Sequence, residues 1–181
     1  MNKKFFKNYF RTMGAALLEV EESSLFKAVE LINKTNQSDG KILLFGNGGS
    51  AGIASHLAVD FTKAAGIRAM TYTDPSVVTC FANDYGYEKW VDQALQFYAR
   101  TQDTAILISS SGSSENIVNG ALRAKQMGLN VITLSGFDPN NKLRGSGDVN
   151  FWLDSDDYNV VEMTHHIWLL AIVDFIIESK L

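Results

Sequence analysis

The sequence predicts an α/β fold: a five-stranded, largely parallel sheet flanked by helices and preceded by an N-terminal helical hairpin. Three observations predict it. Short apolar runs of strand length recur five times, helical stretches separate them, and two of the runs end in turns rich in glycine and serine. Strands that alternate with helices are joined by crossovers, and crossovers favour parallel pairing. The 181 residues suffice for one domain with a continuous core, expected to span 1–181, with the hairpin at 1–38 and the α/β core and closing helix at 39–181.

In chain order, Phe5, Phe6, Tyr9, Phe10, Met13, Leu17 and Leu18 recur at helical spacing. ESSLFKAVELINKT supplies a second amphipathic helix, for which Ser23 or Ser24 is the expected cap. Asp39-Gly40 signals a turn, and KILLF at 41–45 then reads as a first strand buried on both faces. AMTYT (69–73), TAILISS (104–110), NVITLSG (130–136) and VNFWL (149–153) share its length and character. Helices are expected between them at about 50–64, 76–98 and 113–127. The last segment, VVEMTHHIWLLAIVDFIIES at 160–179, is apolar round most of its circumference, the pattern of a helix buried in part against another subunit.

Composition excludes several classes of function. The net charge is −4 and the Lys and Arg residues are scattered, so no nucleic-acid footprint is expected. The single cysteine, Cys80, cannot form an intrachain disulfide and lacks a basic neighbour that would activate it. MNKKFFKNYFRTMG contains no uninterrupted apolar segment of the secretory kind, so a cytoplasmic location is expected. The longest apolar stretch, IWLLAIV at 167–173, is too short to span a bilayer and is followed by Asp174, so no membrane association is expected.

The chemistry-bearing motifs lie where parallel sheets bind ligands, outside the carboxyl ends of strands and at helix N-termini. KILLF runs into Gly46-Asn47-Gly48-Gly49-Ser50, and TAILI into Ser109-Ser110-Ser111-Gly112-Ser113-Ser114. Glycine lets backbone amides approach an anion closely, and serine hydroxyls add donors without fixed charge. A phosphate held in this way needs no lysine. The first turn lacks both the Gly-Lys-Ser/Thr of a Walker loop and the G-x-G-x-x-G of dinucleotide binders, so no nucleotide cofactor is expected.

GNGGS at 46–50, FANDYGYEKW at 81–90 and ISSSGSSENI at 108–117 together resemble the SIS (sugar isomerase) domain, and within it the phosphoheptose isomerases. The resemblance covers nearly the whole chain. It implies a three-layer, flavodoxin-like SIS fold and a homotetramer with active sites at subunit interfaces. It also implies interconversion of sedoheptulose 7-phosphate and D-glycero-D-manno-heptose 7-phosphate for surface polysaccharide. By motif, Asn47, Gly48, Gly49 and Ser50 in the first loop and Ser109, Ser110, Ser111 and Ser114 in the second match the sugar-phosphate contacts, with Ser110 where the family usually has threonine. Asp74 matches an aspartate near the sugar chain and is equally suited to cap the helix that starts near Pro75.

The family places a histidine and a glutamate on the helix after the first loop, and a glutamine and a histidine on the last helix, around zinc or substrate. Here His56 matches the first histidine and Asp60 stands at the glutamate. On the last helix either Met163 and Ala171 or, in another register, Val161 and Leu169 occupy the other two positions. What that helix offers instead is Glu162, His165 and His166, of which Glu162 and His165 are the expected pair.

The expected mechanism passes through an enediol, with Glu162 or Asp60 as base and His56 or His165 as acid. A zinc ion held by His56, Asp60, Glu162 and His165 is a further expectation. Two other readings are a non-catalytic sugar-phosphate-binding or regulatory protein and an isomerase of a different phosphorylated sugar. Trp90, Trp152 and Trp168 read as core or interface aromatics, and DSDDYN at 154–159 as a solvated turn that caps the last helix.

Overall fold

The computed structural model describes residues 4–180. Its sheet has five strands, β1 (Ile42–Phe45), β2 (Ala69–Thr71), β3 (Thr104–Ile108), β4 (Asn130–Ser135) and β5 (Val149–Trp152). They lie in the order β2-β1-β3-β4-β5, and every neighbouring pair is parallel. β1 and β3 are buried along their whole length, which is why their sequences are continuous apolar runs rather than alternating ones.

The pleat divides these runs between two cores. Ile42, Leu44, Ile106, Ile108, Ile132 and Leu134 face one side, where they pack with α1 (Phe5–Leu17), α2 (Glu22–Gln37), α3 (Gly49–Lys63) and α7 (Tyr158–Glu178). Leu43, Phe45, Ala105, Leu107 and Val131 face the other, against α4 (Pro75–Tyr85), α5 (Trp90–Tyr98) and α6 (Glu115–Gln126). β1 thus leads into a helix on one layer and its neighbour β3 into a helix on the other. A crevice opens at such a switch in direction, and both glycine and serine turns border it.

Three local expectations are corrected. Neither Ser23 nor Ser24 caps α2: Glu21 holds the N-cap position without a side-chain bond, and Ser24 N–H already closes the first turn onto the Glu21 carbonyl at 2.8 Å. The helix expected at 76–98 is two helices with a 3-10 turn at Tyr87–Lys89 between them. Gly86 divides them with φ 94° and ψ 147°, a conformation outside the helical region that glycine alone adopts freely.

α7 begins two residues earlier than expected, at Tyr158, because Asp157 caps it by accepting from the N–H groups of Asn159 (2.9 Å) and Val160 (3.2 Å). It is the one described helix long and apolar enough to cross a membrane, but half of its apolar window is buried against the rest of the chain, as in a core helix. The indole of Trp168 donates to the Leu17 carbonyl at 3.0 Å and fastens the hairpin to it. Trp90 and Trp168 are buried in the two cores, whereas Trp152 lies half-buried with the Arg144 guanidinium 4.0 Å from its ring centre.

Candidate active site

The two turns close on a cavity of about 280 Å³ lined by Asn47, Gly48, Gly49, Ser50, Ile108, Ser109, Ser110, Ser111, Ser114, Tyr158 and Glu162. All eight of the loop residues expected at a phosphate are therefore brought together. α3 and α6 both point their N-termini at this cavity, and neither has a side-chain cap: Gly48 stands at the first N-cap, and Ser114 at the second makes no capping bond. First-turn amides without an internal partner, at the positive end of two helices, are suited to an anion. The cavity wall contains no lysine or arginine, and Glu162 is its one charged residue.

The shape of the cradle depends on close backbone approach. Gly48 has φ 52° and ψ −121°, and at Gly46 a Cβ would lie 2.5 Å from the Ser50 carbonyl carbon. In the second loop, Gly112 at φ 63° leaves space for the buried Asn141 side chain. Asn141 then ties the loop down, donating to the Gly136 and Asp138 carbonyls at 3.1 and 2.8 Å. Ser109 Oγ donates to Ser114 Oγ at 3.1 Å. The Ser110 hydroxyl is buried and has no hydrogen-bond partner, a donor held ready at the cavity.

Asn47 is fixed more firmly than sequence alone indicates. Its side-chain amide pairs reciprocally with that of Asn116 at 3.0 and 2.9 Å, and its Oδ1 also accepts from the Tyr87 hydroxyl at 3.1 Å. This leaves one amide hydrogen of Asn47 for a ligand hydroxyl. Asn116 and Tyr87 were not candidates by residue type, although both fall within the two stretches FANDYGYEKW and ISSSGSSENI that carry the family resemblance.

Glu162 enters from α7 and packs directly on Gly49: a Cβ at Gly49 would lie 2.6 Å from its Cδ. Burial holds the Glu162 carboxyl above the usual carboxylate range. Ser110 works against that rise, yet no hydrogen bond of ordinary geometry joins the two. A carboxyl group raised in this way, facing a cavity, is suited to proton transfer.

The histidines are arranged differently from the expected pairing. His165 is wholly buried, its Nε2–H donates to the Ser135 carbonyl at 3.0 Å, and burial pushes its pKa down to about 4. It is a neutral core histidine that packs on the end of β4 and does not line the cavity. His166, one turn beyond Glu162 on the same face, meets α3 instead. Its Nε2 lies 2.8 Å from His56 Nδ1, and His56 Nε2 lies 3.2 Å from Asp60 Oδ2. The two imidazoles share one hydrogen bond, its direction set by their tautomers, and Asp60 lies within ion-pair reach of the far nitrogen of His56, so Asp60, His56 and His166 stand in line as a relay from α3 to α7. Burial and the neighbouring His56 hold His166 below the usual imidazole range, and Asp60 opposes them. The relay lies between α3 and α7, the two helices that also meet at Gly49 and Glu162, but it does not line the cavity.

The expected zinc set does not fit this arrangement. His165 faces the core, Glu162 faces the cavity, and His56 spends its two nitrogens on opposite sides. Among the described residues no three His, Cys, Asp or Glu side chains gather within metal-binding reach. Asp74 is likewise not brought to the cavity: it caps α4, accepting from Ser76 N–H at 2.9 Å, and this bonding lowers its carboxyl pKa.

Comparison with known proteins agrees with the fold. The family model described as SIS domain matches residues 5–136. The chain is 33% identical over 165 residues to the phosphoheptose isomerase of Helicobacter pylori, covering 88% of this chain and 85% of that one. It is 36% identical over 169 residues to the phosphoheptose isomerase of Thermodesulfovibrio yellowstonii, covering 87% and 84%. Among solved structures it superposes on the phosphoheptose isomerase of Neisseria gonorrhoeae with a TM-score of 0.85 at 29% identity, over 95% of both chains.

Proposed function

The chain belongs to the SIS domain family, where it stands with the phosphoheptose isomerases, and from that premise we propose that its cavity isomerises a seven-carbon sugar phosphate. It interconverts sedoheptulose 7-phosphate and D-glycero-D-manno-heptose 7-phosphate, an aldose–ketose exchange that serves surface-polysaccharide synthesis. The observation that carries this reading is the cavity itself: two uncapped helix N-termini with their serine and glycine turns face a single raised carboxyl group.

The phosphate sits in the turns at Gly48–Ser50 and Ser109–Ser114, where amides and hydroxyls replace its water. Anchoring one end of the sugar positions the reacting carbons beside Glu162. Glu162, as carboxylate, takes the proton from the carbon next to the carbonyl. The electron pair moves to form the enediol, and the same proton returns to the neighbouring carbon. The hydroxyl proton passes directly between the two adjacent oxygens of the enediol, and the Asp60–His56–His166 relay, outside the cavity wall and one turn along α7 from Glu162, is assigned to positioning that carboxyl group.

A homotetramer with sites between subunits forms part of the same proposal. It is supported by the apolar groove between α2 and α7 formed by Leu25, Phe26, Val29, Ala171, Ile172 and Phe175, and by Met163 and Ile167 exposed further along α7. Light scattering of the purified protein measures that state. A cytoplasmic location follows from the phosphorylated substrate.

Incubating the purified protein with sedoheptulose 7-phosphate and resolving the aldose product tests the reaction. Turnover that Glu162→Gln abolishes without changing the melting temperature is the expected result. Binding with no turnover would return the chain to the sugar-phosphate-binding proteins, and no binding at all would overturn the reading of the cavity.

A further inference from the structure

Tyr158 is the one aromatic residue that lines the cavity, and neither the loop motifs nor the acid–base chemistry uses it. It stands in the first turn of α7, four residues before Glu162, so both side chains leave the helix on the same face one turn apart. Its ring is more than half exposed at 59%, yet it is held from behind. Phe137 meets it edge to face, with ring centres 4.8 Å apart and planes at 74°. Phe137 itself is packed on the core and sits at φ 59°, a left-handed conformation that costs a bulky residue free energy and persists only where the surroundings impose it. Its N–H donates to the Ser155 carbonyl at 3.1 Å, which fixes the start of the segment that leads to Tyr158. A strained residue thus holds an exposed ring over a cavity whose other walls are glycine and serine, Asn47, Ile108 and one carboxyl group.

We infer that Tyr158 is a specificity-determining residue, its ring forming the wall against which the carbon chain of the sugar phosphate lies. This rests on the isomerase reading of the same cavity. The cradle recognises phosphate and does not discriminate between the carbon chains attached to it. An open-chain sugar presents C–H groups along its length, and an aromatic face is complementary to them while the hydroxyls turn to Asn47 and the serines. A longer chain lays more C–H surface on the ring, so the wall selects for the heptose over shorter sugar phosphates.

The test compares the wild type, Tyr158→Ala and Tyr158→Phe with sedoheptulose 7-phosphate, ribulose 5-phosphate and inorganic phosphate. For Tyr158→Ala the KM for the seven-carbon substrate is expected to rise about tenfold with little change in kcat, the size of effect a lost apolar contact gives. Its preference over the five-carbon phosphate falls, whereas inorganic phosphate binds as before. Tyr158→Phe keeps the ring and its contact with Phe137, and is expected to behave as wild type. An active wild type with an unchanged KM in Tyr158→Ala would overturn the inference alone, and so would equal losses in the two variants or weakened phosphate binding. A wild type that neither binds nor converts the heptose phosphate would remove the isomerase reading, and the inference with it.

Discussion

Gly49→Ala isolates the position of Glu162 from its chemistry. The added methyl would lie 2.6 Å from Glu162 Cδ and 2.8 Å from Oε1, where ordinary contact begins at 3.4 Å. The neighbours are the far end of a flexible side chain, so the carboxylate withdraws by about 1 Å and the backbone stays in place. Gly49 opens α3 without a positive φ, and alanine favours a helix over glycine by ~0.5–1 kcal/mol, so the melting temperature should hold or rise slightly. A misplacement of ~1 Å at a reacting group costs on the order of 100-fold in rate. Steady-state kinetics should therefore show kcat for sedoheptulose 7-phosphate falling about 100-fold while KM changes little, because the phosphate amides remain in place. Combining the change with Glu162→Gln should add almost nothing to the loss in the single Gln variant, since both act on one group. Wild-type kcat in Gly49→Ala would refute the assignment of Glu162 as the base.

Other perturbations separate binding, positioning and stability. Tyr87→Phe removes the hydroxyl that bonds Asn47, and a KM rise of about threefold to tenfold is expected with the fold intact, read by kinetics beside a thermal melt. Ser110→Ala removes a buried hydroxyl without a partner, so stability should be unchanged or higher while sugar-phosphate affinity falls, which calorimetry and melting would resolve together. His165, with its pKa lowered to about 4, binds a proton more readily unfolded than folded, so its contribution is complete above ~6.5 and is lost as pH falls toward 4. Urea midpoints should fall more steeply over that window in wild type than in His165→Gln, by up to about 3 kcal/mol. Trp168→Phe should cost about 1–2 kcal/mol by removing the bond to Leu17, measured from the urea midpoint.

How far the sequence discloses this molecule depends on whether a feature is local. KILLF and TAILI announce strands because burial on both faces demands continuous apolar residues, and the two turns that follow them announce strand-to-helix junctions with close backbone approach, which are suited to an anion as a pair rather than singly. Both are properties of a few consecutive residues. The break at Gly86 was obscured because apolar periodicity runs through 76–98 on either side of it, and only the backbone angles reveal that the second helix starts afresh. Ser23 and Ser24 misled for the opposite reason: they suit a cap, but the chain had already turned at Glu21.

The histidines show where local reading ends. Spacing of three or four residues permits either His165 or His166 to share a face with Glu162, and no property of α7 alone chooses between them. The choice is made by what lies opposite. His165 meets the end of β4, where the Ser135 carbonyl satisfies one nitrogen and burial suppresses charge. His166 meets α3, where His56 already holds Asp60. The shorter aspartate closes onto a histidine of its own helix one turn away and orients it toward the partner on α7. Substituting Asp60 with glutamate would lengthen the carboxylate arm by about one carbon–carbon bond, ~1.5 Å, and push His56 against His166. Asp60→Glu should therefore lower kcat by disturbing the α3–α7 contact one turn from Glu162, which steady-state kinetics would read. Wild-type kcat in Asp60→Glu would show that the relay takes no part in turnover.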